Sequence, residues 1–471
     1  MSQSEKDTKP REHFASRLGF ILVSAGCAVG LGNVWRFPYI VGEYGGGAFV
    51  LLFLFFLAVF ALPVLTMEFA AGRASQRGIA RSYDVLEPKG TKWHWFKWAA
   101  LAGNYLLMMF YAVVSGWMIA FAVKSAQGAF VGATAAQSQA IFDGLLANPL
   151  EMLVYLAIVV LVGTVVCSRG IQGGVEKVTK FMMASLFVIL VILCVRSVTL
   201  DGAMEGLAFY LVPDFDRLFG GGLDNVMQAV YAAMGQAFFT LSVGIGSMSV
   251  FGSFLGKERS IPGEATRVAA IDTLVAIMAG LIIFPACFVF GVEPGSGPGL
   301  VFITLPSVFS QMPMGQLWCT LFFVFMSFAA LSTVIAVFEN IMSFTIDQWG
   351  TPRKKACYVN GSLLFLLAIP CLLGFNLWSG VQVPGIGDIQ SVEDFIVSNN
   401  LLPIGGLVLL LFCTRKCGWG FDNFLAEADT GQGLKFPRWI KGYLSYVLPV
   451  LMVIILIGGW IPVIQAWVGL I

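Results

Sequence analysis

From Gly26 to Gly47 the chain reads GCAVGLGNVWRFPYIVGEYGGG, which sets the amide of Asn33 and the guanidinium of Arg36 among glycines inside an otherwise apolar stretch. An unbroken membrane-spanning helix calls for about 20 apolar, helix-favouring residues. Gly26, Gly30, Gly32 and Pro38 work against that requirement. Where a helix unwinds in hydrocarbon, carbonyls lose their partners and N–H groups are freed, and both then need a ligand. Free carbonyls suit sodium, and the positive N-terminus of a half-helix suits a carboxylate. The stretch therefore reads as a site for a cation and an acid together. A second stretch, MGQAFFTLSVGIGSMSVFGSF, repeats the pattern with Ser242, Gly244 and Gly246 near its centre. Glycines alone would serve close helix packing; Asn33 and the second break favour binding.

The elements that must position these groups are membrane helices. The 471 residues are 58% hydrophobic and 12% charged, outside the composition of soluble domains. Apolar runs predict about eleven spans: 17–41, 47–72, 98–123, 149–168, 177–199, 223–255, 266–291, 315–348, 356–376, 394–414 and 442–468. Of the 28 basic residues only Arg36, Lys124, Arg196 and Arg217 fall in the second set of alternating segments, so the positive-inside rule predicts a cytoplasmic N-terminus and an outer C-terminus. The short run GPGLVFITLPSVFSQMP is expected to be a re-entrant or surface helix. A net charge of +1 argues against a nucleic-acid partner. The nine cysteines lie mostly in apolar runs, with no metal-cluster spacing and no expected disulfide. No signal peptide, nucleotide signature or catalytic triad is found, so an enzyme is not expected.

RLGFILVSAGCAVGLGNVWRFPY followed by GGGAF resembles the first-helix signature of the neurotransmitter:sodium symporter family, and the resemblance runs from Arg11 to about Cys413. It is similar to the bacterial amino-acid carriers of that family, a leucine transporter among them. The resemblance implies an all-α integral membrane protein, a 5+5 inverted repeat with broken helices 1 and 6, a rule itself drawn in part from this fold. One transporter domain, 1–471, would comprise a first repeat at 17–199, a second at 223–414 and an additional C-terminal helix at 442–468. Eleven helices instead of the usual twelve implies a prokaryotic source and a plasma (inner) membrane location.

Carried over by motif, one sodium ion would be held by the Ala28 carbonyl, Asn33, Thr240 and Asp272, with the substrate carboxylate completing the shell. A second would lie on the carbonyls of Gly26, Val29 and Ala329 and the hydroxyls of Ser332 and Thr333. Oxygen ligands with little formal charge suit a monovalent cation; no other cofactor is implied. Tyr111 and the amides of Leu31 and Gly32 would take the substrate carboxylate. Its amino group would face Ala28, Phe239, Thr240 and Ser242. Gly30 stands where monoamine carriers have an aspartate, which implies an amino acid. The side-chain pocket would be Leu107, Tyr111, Phe239, Ser242, Ile245, Thr333 and Val337, uncharged and so hostile to acidic and basic substrates. An outer gate would be Arg36 and Asp394 above Phe239, and an inner gate Arg11 and Asp347, with Phe14 as a plug.

Sodium-coupled uptake of a neutral hydrophobic amino acid is the reading these residues favour; a non-transporting sodium-dependent sensor would keep every one of them. Where chloride-dependent members carry a tyrosine and a serine around the anion, this chain has Phe53 and Ala276, with Asp272 one turn away as a fixed negative charge. Uptake is therefore expected to be unchanged when gluconate replaces chloride; clear stimulation by chloride would overturn that expectation.

Overall fold

The computed structural model describes residues 13–220, 222–291 and 299–469. Its first span is a broken pair, α1 (Arg17–Ala28) and α2 (Gly32–Glu43), bent by 55°. Ser16 starts α1 as an N-cap whose hydroxyl accepts from Gly19 N at 3.0 Å. Helix α3 (Gly47–Ser75) is followed by the short α4 (Ile79–Leu86) and by α5 (Trp93–Ala126). Next come α6 (Ala135–Leu146), opened by a capping box of Thr134 and Gln137, then α7 (Pro149–Ser168), α8 (Ile171–Val198) and α9 (Ala203–Leu211).

A second broken pair follows: α10 (Gly222–Thr240) and α11 (Ser247–Ser253). The chain then forms α12 (Ile261–Val289), α13 (Leu300–Ser310), α14 (Gly315–Trp349), α15 (Arg353–Gly374), α16 (Ile389–Thr414), α17 (Phe421–Ala428) and α18 (Arg438–Val468). Among the described residues nine helices are long and apolar enough to cross a membrane, or ten with the first bent pair as one span. The pair α10 and α11 stands where the sixth span was expected. The short run before α14 folds as α13, whose Phe302 stacks on Phe142 of α6 at 4.7 Å and meets Trp35 of α2 edge-on at 5.7 Å.

Burial ranks the helices. Across their apolar windows α14 is 78% and α5 72% buried, whereas α18 is 28% buried. Helices apolar all round can occupy the centre of such a bundle, and α14 and α5 do so beside α1. Among the described residues all nine cysteines are free, and eight of them are buried.

At one end of the bundle, buried charges tie the elements together. Arg73, at the end of α3, has no solvent exposure; it donates to Glu427 Oε1 of α17 at 2.6 Å and to the Arg259 carbonyl at 2.6 Å. Arg17 pairs with Glu264 of α12 at 2.7 Å. Glu176 of α8, 2% exposed, accepts from Ala15 N at 2.8 Å and pairs with Lys180 at 2.5 Å. Removing one partner of such a buried pair strands the other. Arg73→Gln is expected to destabilise the protein by about 3 kcal/mol, read as a lower unfolding temperature in detergent; an unchanged temperature would mean that the Arg73 network carries no stability.

Candidate ion and substrate site

The site is built where the two breaks face each other. After Ala28 the backbone turns extended at Val29, with φ −66° and ψ 101°. In the second break Ser242, Gly244 and Gly246 all have positive φ, 51°, 109° and 82°. Ser242 has a side chain and still takes this conformation, a local strain of the kind concentrated at functional positions. A Cβ on Gly244 would sit 2.3 Å from the Leu402 carbonyl, so α16 packs directly on the unwound backbone.

One cluster joins α2, α10 and α12. Asn33 Nδ2 donates to Asp272 Oδ1 at 2.7 Å and to the Asp272 carbonyl at 3.1 Å, and lies 3.2 Å from Thr240 Oγ1. Thr240 Oγ1 donates to Asp272 Oδ2 at 2.8 Å, and Gly30 N donates to Asn33 Oδ1 at 3.0 Å. Asn33, Thr240 and Asp272 are all buried. With the amide oxygen turned inward, an exchange the two ends of an amide permit, the cluster offers oxygens from three elements.

A second cluster joins α1 to α14. Thr333 Oγ1 lies 3.3 Å from the Gly26 carbonyl, 3.4 Å from Cys27, 3.3 Å from Val29 and 3.4 Å from Ala329. Ser332 Oγ is 2.9 Å from the same Ala329 carbonyl. A threonine hydroxyl carries one proton and can satisfy one of four carbonyls at a time. The surplus of acceptors is what a cation with oxygen preference requires.

Between the clusters lies a cavity of about 20 Å³ lined by Ala28, Gly32, Leu107, Tyr111, Phe239, Ser242, Ile245 and Thr333. The Tyr111 hydroxyl accepts from Leu31 N at 3.1 Å. Val337, expected in the side-chain pocket, is buried and does not line this small cavity. Cys27, Gly30 and Leu402 line it instead. A space of this size has room for about one water; Phe239 also forms a wall of a neighbouring cavity of about 270 Å³.

That neighbouring cavity holds the expected outer gate. Arg36 and Asp394 both line it, but no ion pair joins them among the described residues. The Arg36 guanidinium lies 4.7 Å above the Phe239 ring, and Asp394 accepts from Ser398 at 2.6 Å. The gate's charges thus face one cavity unjoined. At the opposite end Arg11 lies outside the described residues, and Asp347 accepts from Gly78 N at 3.0 Å. Phe14 packs edge-on against Phe254 at 5.8 Å. Phe53 and Ala276 are fully buried, with the Phe53 ring 4.8 Å from Phe37.

Several buried polar groups escaped the sequence reading. Glu68 of α3 accepts from Gly244 N at 3.0 Å, Asn104 of α5 donates to the Ile245 carbonyl at 2.9 Å, and Gln236 of α10 donates to the Gly32 carbonyl at 2.9 Å. Glu68 and Asn104 satisfy backbone freed by the second break, and Gln236 adds a second donor to the Gly32 carbonyl, which also accepts from Phe37 N. An ionisable or amide group inside an apolar span is itself a signal, and Glu68 in LPVLTMEFAAGRAS carried it. Leu402 had no such signal.

Gly30 is closely packed on the site's side chains. A Cβ there would meet the Tyr111 hydroxyl at 2.4 Å and Thr333 Oγ1 at 2.7 Å. Gly30→Ala is expected to weaken sodium-dependent binding of a neutral amino acid at least about tenfold, ~1.4 kcal/mol, measured on protein that keeps its helix content; unaltered affinity would remove Gly30, Tyr111 and Thr333 from the ligand site.

Comparison with known proteins agrees with this architecture. A family model described as "Sodium:neurotransmitter symporter family" matches residues 11–140 and 137–466. An uncharacterized sodium-dependent transporter of Bacillus subtilis (strain 168) is 36% identical over 448 residues, covering 94% of this chain and 97% of that protein. Another of Haemophilus influenzae is 33% identical, covering 96% and 99%. The crystal structure of MhsT in complex with L-phenylalanine superimposes with a TM-score of 0.84 at 35% identity, covering 96% of this chain and all of that one. With its helical architecture and its first and sixth spans broken, the chain is a sodium-dependent membrane transporter and belongs to the sodium:neurotransmitter symporter family.

Proposed function

We propose that the protein takes up a neutral, hydrophobic amino acid together with two sodium ions, independently of chloride. The single observation that carries this reading is the Thr333 hydroxyl among four carbonyl oxygens, three from the end of α1 and one from α14. The cluster of Asn33, Thr240 and Asp272 supports the first ion site, and Leu31 N with the Tyr111 hydroxyl supports a carboxylate site between them. An apolar lining without a charged side chain favours a side chain from aliphatic to aromatic. L-phenylalanine in the MhsT structure is consistent with that range.

Asp272 takes a negative charge into the first ion site, and sodium is its natural counter-ion there. With Phe53 and Ala276 at the positions of the anion ligands, that fixed charge stands in for chloride. The basic loops orient the chain with its N-terminus in the cytoplasm and its C-terminus outside. Bacterial relatives support a bacterial inner membrane. At about 100 mV each inward sodium charge supplies roughly 2.3 kcal/mol, and a tenfold sodium gradient adds about 1.4 kcal/mol per ion. Two ions give roughly 7 kcal/mol, against about 4 kcal/mol for a thousandfold accumulation of a zwitterion.

Uptake of a panel of radiolabelled amino acids into proteoliposomes tests the reading. A neutral hydrophobic amino acid is expected to accumulate only with an inward sodium gradient, and Asn33→Ala and Thr333→Val are each expected to abolish accumulation. Sodium-dependent binding without accumulation would instead make the protein a sensor, and indifference to sodium would overturn both ion sites.

A further inference from the structure

A cavity with a volume of about 920 Å³ lies where the end of α16, helix α17 and the start of α18 meet. Its cations are Arg415, Lys416 and Lys441 and its carboxylates Glu87 and Asp422. The carboxylates are engaged: Glu87 with the His94 ring at 2.5 Å and the Thr91 hydroxyl at 3.1 Å, and Asp422, 91% exposed, with Lys441 at 3.4 Å. Arg415 and Lys416 have no carboxylate partner among the described residues. Arg415 is instead held in place by the Ser445 carbonyl at 2.8 Å and the Tyr446 ring at 5.1 Å. A guanidinium fixed by neutral groups is presented to an anion without having to be freed first.

The position of this cavity identifies the kind of anion. It lies at the end of two membrane helices, and two residues before its Lys441 stands Trp439, which is 85% exposed and of the residue type that marks a membrane–water boundary. From its rim an exposed apolar stripe runs down α18 through Val447, Val450, Ile454, Ile457 and Ile461. Their spacing of three and four residues puts them on one helix face. Fourteen residues of helix cover about 21 Å, more than half of the roughly 30 Å hydrocarbon core. A charged pocket opening onto an acyl-length apolar track has the form of one lipid molecule.

We propose that this cavity binds the phosphate headgroup of an anionic glycerophospholipid, with an acyl chain along α18. A zwitterionic choline headgroup is disfavoured because it would add a cation beside Arg415, Lys416 and Lys441. The lipid would also brace α17, whose Glu427 holds the buried Arg73, so occupancy stabilises that end of the bundle.

Thermal unfolding of the purified full-length protein in detergent, titrated with dioctanoyl phosphatidylglycerol, tests the site. The unfolding temperature is expected to rise and saturate, whereas dioctanoyl phosphatidylcholine and glycerol phosphate at equal concentration leave it unchanged. The half-saturating concentration is expected to increase roughly fivefold for each cation removed, in Arg415→Gln/Lys416→Gln and, should that variant fold poorly, in Lys416→Gln alone. Lys354→Gln, at an exposed cation elsewhere, is expected to keep the wild-type response. Three outcomes would overturn the proposal: a response equal with phosphatidylcholine, a response to glycerol phosphate that makes the cavity a soluble-phosphate site, or one lost equally in Lys354→Gln, which would reduce it to general charge attraction.

Discussion

In hydrocarbon a peptide group without a partner is worth several kcal/mol of penalty, and this protein opens its backbone twice. Everything near the two breaks follows from satisfying what they release. Glu68 and Asn104 each reach from a continuous helix to a freed N–H or carbonyl, Gln236 of α10 ties the two broken spans together at the Gly32 carbonyl, and α16 closes on Gly244 at backbone distance. These contacts take up part of the released capacity and leave a remainder, the carbonyls around Thr333 and the oxygens beside Asp272. That remainder is backbone carbonyl and hydroxyl oxygen in one cluster and includes a carboxyl group in the other. Binding capacity here is a residue of incomplete backbone satisfaction.

Much of this was legible in the order of residues. Gly26, Gly30 and Gly32 with Asn33 announced one break, and Ser242, Gly244 and Gly246 the other, because those types tolerate unwinding and the surrounding sequence does not call for it. The spans were legible from apolar length. What escaped has a common cause. Leu402 lines the cavity where α16 docks on the Gly244 backbone, which depends on how distant helices rotate against each other. The central helices are apolar on every side, so their sequences hold no periodic signal of which face looks inward. Asn104 differs: its polarity was visible, but the partner carbonyl at Ile245 is 141 residues away.

The gates divide in the same way. Arg36 above Phe239 needed only the family motif, yet its separation from Asp394 is a property of this conformation and not of the residue types. At the other end, carboxylates that sequence reading passed over, Glu176 and Glu264, hold the residues just before and at the start of α1. Buried acids are there matched to basic groups and backbone N–H donors, which is the condition for their burial to be tolerated.

Helix α1 has a mechanical consequence. Its twelve residues form a rod about 18 Å long, joined to α2 through an extended residue at one end and clamped by Glu176 and Glu264 at the other. For such a lever a tilt of about 10° at the joint carries the far end roughly 3 Å, comparable with the full length of the Arg17–Glu264 contact at 2.7 Å. Motion too small to disturb packing at the fulcrum is therefore enough to unseat the clamp. The same tilt displaces Gly26, about 4.5 Å from the joint, by less than 1 Å, so the two ends of one helix feel a single motion on different scales.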